Sequence, residues 1–145
     1  MPRRRDVVSG LAAAVATPVV AEPDAARPAV TDPAELRRAI VGHTMYTTGR
    51  RFGVRWHWAG FYRADGRAFA RAWWGFGEIR ATSAWEIGDG RWCQLWKGVD
   101  WSRGARNCYR VHRTTDGLHW RHVAGPHASD HRFERRAGDP FALAP

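Results

Sequence analysis

Cys93 and Cys108 are the two thiols of the chain, and their setting decides which thiol chemistry is open to them. No Cys-x-x-Cys spacing occurs and the nearest histidine, His112, stands alone four residues past Cys108, which argues against a redox dithiol and against a zinc site. The two sulfurs fall on strands expected to be neighbours, with residues 94–107 between them. A structural disulfide is the preferred reading, with a free pair or a pair of metal ligands as alternatives. Closing a loop of this length stabilises by ~3 kcal/mol if chain entropy dominates.

The seven histidines raise metal chemistry. His119 and His122 point to opposite faces of a strand and cannot readily share an ion. His127, Asp130 and His131 have a helical-turn spacing, but Gly125-Pro126 before them makes such a site loose, so no metal ligands are assigned. Ser83, Ser102 and Ser129 lack a Gly-x-Ser-x-Gly setting. Glu78 and Glu86 are not an obvious facing pair, no glycine loop carries a phosphate-binding lysine, and Asp100 reads as a solvated loop residue. No catalytic residue and no cofactor are therefore expected, and an enzyme with an unrecognised site remains an alternative.

Nine tryptophans and a formal charge of +9 are the larger signals. Trp56, Trp58, Trp74, Trp85, Trp92, Trp96 and Trp120 lie in expected strands, and large rings dominate the core of a small domain. Trp73 and Trp101 are not required there. Together with Arg103 and Arg106 they make a candidate ligand-binding surface, since aromatic faces stack on rings and attract cations. Arginines interleaved with aromatics would also suit a polyanion such as nucleic acid or an acidic glycan.

These residues must be positioned by a β framework. Asp32-Pro33-Ala34-Glu35 starts a short helix with an acidic cap, proline at the first position and a capping-box glutamate; Leu36, Ala39 and Ile40 share its apolar face. From Thr44 the pattern changes to alternation, with strands expected at 44–48, 52–63, 68–76, 82–87, 91–96, 108–113 and 118–123. Asp-Gly turns at 65–66, 89–90 and 116–117 join them in hairpins. The expectation is an all-β antiparallel meander of about seven strands, closing into a small barrel or left as a curved sheet, hollow or packed inside. One β domain spans 31–125 after a linker at 22–30, and 126–145 reads as a weakly ordered tail or edge segment.

Residues 1–21 read as an export signal: Arg3-Arg4-Arg5, an uncharged stretch from Val7 to Val20, and small residues before Glu22. The paired arginines give it a partial twin-arginine character. The remaining chain has no segment apolar enough to span a membrane. A periplasmic or secreted protein is expected, where a cysteine pair is normally oxidised. Export disfavours nucleic acid as a partner and leaves a small ligand or an anionic envelope component.

The order of Gly42-His43-Thr44, Tyr62-Arg63-Ala64-Asp65-Gly66, Trp85-x-x-x-Asp89-Gly90-x-x-Cys93 and Cys108-Tyr109-Arg110-Val111 resembles a bacterial domain-of-unknown-function family of small exported proteins with lipocalin-like β architecture. The resemblance covers roughly residues 32–123. It implies a barrel and an envelope location, and it transfers no catalytic residue. A non-enzymatic binding or envelope-associated protein is the leading expectation.

Overall fold

The computed structural model describes residues 27–145, so the expected export signal and most of the linker lie outside the described residues. The described residues form one helix, α1 (Pro33–Ile40), and eight strands: β1 (His43–Arg51), β2 (Val54–Tyr62), β3 (Arg67–Trp74), β4 (Gly77–Gly88), β5 (Arg91–Lys97), β6 (Asn107–Arg113), β7 (Gly117–Ala124) and β8 (His131–Ala137). Each strand pairs antiparallel with the next, and β8 returns to β1 to close the barrel. Eight strands enclose an interior just wide enough for side chains or one small ligand.

The helix follows its sequence signals. The Glu35 amide donates to Asp32 Oδ2 at 2.9 Å, and Pro33 opens the first turn. Leu36, Ala39 and Ile40 are buried on one face and join the barrel core with Met45, Tyr62, Trp92 and Trp120. The helix thereby plugs one end of the barrel. Arg135 holds it there, its guanidinium donating to the carbonyls of Ala39 and Arg38.

Most, though not all, of the strand tryptophans pack the core as expected from the sequence, while Trp56 and Trp74 line an open cavity instead. Trp92, Trp96 and Trp120 are buried in the core, with Trp58 and Trp85 packed against it. Three differences from the expected strands matter. The β1 strand continues past Gly49 to Arg51, because Gly49 leaves room for the Trp56 indole: a Cβ there would lie 2.5 Å from the ring. Gly75-Phe76 is a hairpin tip between β3 and a long β4 that starts at Gly77, rather than the end of one strand followed by a gap to residue 82.

The third difference concerns closure. Residues 131–137 are not tail but β8, the strand that closes the barrel, and Phe133 packs into the core from it. After it, residues 138–145 lie against the outer face. There Leu143 packs with Ala59 and Phe69, and Phe141 stacks on Tyr46 at 5.6 Å.

Cys93 and Cys108 are bonded to each other. They sit directly opposite on β5 and β6, a seam whose ladder covers only three residue pairs before the strands part into the 98–106 loop. The disulfide therefore staples the barrel where the backbone ladder is shortest.

Candidate functional site

Chain direction sorts the connections into two sets. The Asp-Gly turns β2–β3, β4–β5 and β6–β7 all lie at the helix-plugged end, as the contacts of Arg37 with Ala64 and of Thr31 with Gly90 show for the first two. The opposite end carries the Phe52-Gly53 and Gly75-Phe76 tips and the longer 98–106 and 125–130 loops. That end opens into a cavity of about 620 Å³, within the usual range for small-molecule sites.

Most of the lining is aromatic or aliphatic. The inner faces of β2, β3 and β4 supply Val54, Trp56, Trp58, Ala72, Trp74 and Ile79, while Trp96, Trp101 and Phe133 come from the other side. Trp58 is the hub. Its ring lies 5.6 Å from Trp96 and 6.1 Å from Trp101, both edge-on, and 5.4 Å from Phe133. Gly60 makes this possible, since a Cβ there would meet the Trp58 ring at 2.5 Å.

One wall is polar. Gln94 accepts at Oε1 from Tyr62 Oη at 3.0 Å and from Trp92 Nε1 at 3.2 Å. Indole nitrogen only donates, so the amide oxygen must face it and the amide NH₂ is left as an unspent donor. Beside it are Tyr109, His131 and His127, with His131 5.6 Å from the Tyr109 ring and stacked on His127 at 6.2 Å.

Burial, and after it the negative charge of Asp130, pushes the Tyr109 hydroxyl up to about 12. Burial, and after it the charge of His127, lowers His131 to about 4, with Asp130 opposing. At neutral pH the tyrosine keeps its proton and the His131 imidazole is uncharged. Gln94, Tyr109 and His131 can therefore donate and accept hydrogen bonds without presenting a net charge. Among the described residues that line the cavity, Arg51 alone carries a permanent charge, and it sits at the rim beside Phe52.

The two long loops are fixed to each other by Asn107. Its Nδ2 donates to the carbonyls of Ser102 and Ala105, and its Oδ1 accepts from the His127 amide at 2.8 Å. Ser102 Oγ in turn accepts from the Trp96 amide at 2.9 Å. Gly125 must be glycine, because its φ is +99° and any Cβ would run into the Asn107 backbone and side chain. This network seats Trp101 over the cavity.

The four residues proposed from sequence as a ligand surface are not brought together. Trp101 is half-buried and lines the cavity. Trp73 is on the outer face of β3, stacked on His57 at 5.0 Å and packed beside Phe141. Arg103 is exposed at the loop tip, and Arg106 is paired with Glu86.

Glu78 is held by Arg71 and Arg80, and Glu86 by Arg106. His119 is outside the barrel near His112 and Asp130, whereas His122 turns its ring toward Tyr109 inside. Among the described residues no three His, Cys, Asp or Glu side chains form a group able to hold a metal ion.

Sequence reasoning missed Gln94 and Tyr109 as site residues. Gln94 was findable, because it shares the inward parity of Trp92 and Trp96 and a polar residue there needs a purpose.

No family model matches the sequence, and neither a curated protein nor a solved structure does. The geometry therefore carries the functional reading. No helix among the described residues is long and apolar enough to cross a membrane.

Proposed function

We propose that the protein is a small exported binding protein, lipocalin-like in its use of a barrel cavity. Its ligand has an apolar, in part aromatic, body and an uncharged hydrogen-bonding group at its buried end. The observation that carries this reading is the open, tryptophan-lined cavity with its neutral Gln94–Tyr109–His131 wall. A charged group deep in that site would be left without a counter-charge, a costly arrangement. An anionic group would find Arg51 only at the rim. The Cys93–Cys108 disulfide supports the export part of the proposal, since oxidised pairs are characteristic of extracytoplasmic proteins.

The test is titration with N-phenyl-1-naphthylamine, a neutral aromatic probe, read by energy transfer from the lining tryptophans. Saturable binding to the parent protein is expected. Ala72→Trp, which fills the cavity from the inner face of β3, should lower probe affinity at least tenfold while leaving the circular dichroism spectrum intact. Absence of saturable binding, or equal binding by the filled variant, would refute the proposal.

A further inference from the structure

The described residues expose five large hydrophobic side chains, and all five lie at the open end: Phe52, Val54, Trp74, Phe76 and Ile79. Single exposed hydrophobics are ordinary, but a contiguous group marks an interaction surface. Phe52 and Phe76 are the tips of neighbouring hairpins, and they are 93% and 96% exposed. Neither ring is buried by the fold.

Phe52 is also in the wrong place for stability. It occupies the first position of a two-residue turn at φ +50°, followed by Gly53 at +76°. That left-handed position normally takes Asn, Asp or Gly, and a bulky residue there is strained. Such a residue is kept at a cost in stability that packing does not offset.

The charge around the tips has one sign. Arg50 and Arg55 are exposed and stand directly opposite each other across β1 and β2, so they repel. Arg51 is exposed with its guanidinium over the Phe52 ring. Among the described residues no carboxylate pairs with any of these three, and nearby Glu78 is already engaged by Arg71 and Arg80. A second copy of the chain docking through this end would set arginine against arginine. An anionic surface would relieve the repulsion instead, and two convex aromatic prongs suit a deformable lipid interface better than a grooved protein.

We infer that the open end docks on the surface of an anionic lipid bilayer, with Phe52 and Phe76 inserted at the headgroup level and Arg50, Arg51 and Arg55 on the lipid phosphates. Val54, Trp74 and Ile79 belong both to the exposed patch and to the cavity lining. Docking thus presents the cavity mouth to the membrane, and the ligand class narrows to molecules that partition into lipid. This narrowing rests on the cavity reading. The docking itself does not, and vesicle binding and probe binding are measured separately.

The test is co-sedimentation of the full chain with phosphatidylglycerol–phosphatidylcholine vesicles and with phosphatidylcholine vesicles alone. Binding is expected on the anionic vesicles and should weaken steeply with added salt. Phe52→Asn with Phe76→Ser should lower partitioning about tenfold or more. Arg50→Glu with Arg55→Glu should lower it at least fivefold per arginine replaced, about the effect of one basic residue at such a surface. Phe52→Asn alone should raise the melting temperature while weakening vesicle binding, a split that a packing role for the ring would not give. The inference is overturned if the parent protein fails to bind anionic vesicles, or if the tip variants bind as well as it does. It is equally overturned if sedimentation shows the parent to be a dimer that the tip substitutions dissolve.

Discussion

Two hairpin turns in this barrel have nearly the same backbone and opposite chemistry. At the helix-plugged end, Asp89-Gly90 turns with φ of +52° and +68°; at the open end, Phe52-Gly53 turns with +50° and +76°. The first uses a residue that tolerates the left-handed region, and Gly90 packs beside Thr31. The second puts a bare phenyl ring into solvent. The contrast extends to whole ends. One is built from short turns, a capped helix and buried aliphatics, and the other from longer loops, unburied rings and unpaired arginines. Stability is concentrated at the first, and binding is assigned to the second.

The largest expected effect comes from damaging the plugged end. Ile40→Ala opens a void beneath α1 and should cost about 2–5 kcal/mol in chemical denaturation. Probe affinity measured under native conditions should stay within roughly twofold, because distant sites act independently. A large loss of affinity in a folded Ile40→Ala protein would break the division between the ends.

Next is the disulfide. Replacing both cysteines with alanine should destabilise by ~3 kcal/mol. The short β5–β6 ladder should then open first, seen as faster amide hydrogen exchange at residues 93–109 than at β1–β4.

The largest single pH response should come from the open end. His131 is depressed in the folded protein, so the unfolded chain takes up a proton below about 6.5 while the folded chain waits until about 4. Stability present above the unfolded value is therefore lost as pH falls through that window, by roughly 2–3 kcal/mol from this group. His43 and His119, also lowered by burial, add in the same sense. Asp65 and Glu78 are held down by their arginine partners, so the stability they add is present above the ordinary carboxylate range and is lost only as pH falls below it. Urea denaturation at several pH values should show the slope, and His131→Phe should remove the larger part of it.

The smallest effect is the turn itself. Phe52→Asn should stabilise by about 0.5–1 kcal/mol, since asparagine accepts the left-handed position more readily. The equivalent change at the other end, Asp89→Phe, should destabilise by a similar amount.

The same contrast explains how far the sequence could be read. The plugged end was legible because its signals are local: Asp32-Pro33 starts the helix, and each Asp-Gly marks a turn of a known type. The seven tryptophans expected in strands lie there, five of them in or against the core, and the cysteines were paired as expected. The open end gives no such signal. Phe52-Gly53 reads as the start of a strand, because phenylalanine is a strand former and not a turn former.

The closing strand β8 hid behind Arg132, Glu134, Arg135 and Arg136, with only Phe133 showing an apolar face. Without β8 the inward position of His131 could not be assigned, and the polar wall lost a member. Trp101 was singled out as a ring the strands did not need, and it lies against the cavity from the 98–106 loop. Trp73 was grouped with it because sequence parity cannot reveal that residues 138–145 fold back beside the outer face.

The central claim is that ligands enter the open end and touch nothing else. The direct measurement is the set of indole N–H resonances in a proton–nitrogen correlation spectrum during titration with N-phenyl-1-naphthylamine. Trp56, Trp58, Trp96 and Trp101 line the cavity and should shift together at one saturable site. Trp85, whose Nε1 donates to the Arg63 carbonyl at the plugged end, and Trp73 on the outer face should stay in place. Shifts confined to Trp73, or spread equally over all nine indoles, would contradict the account.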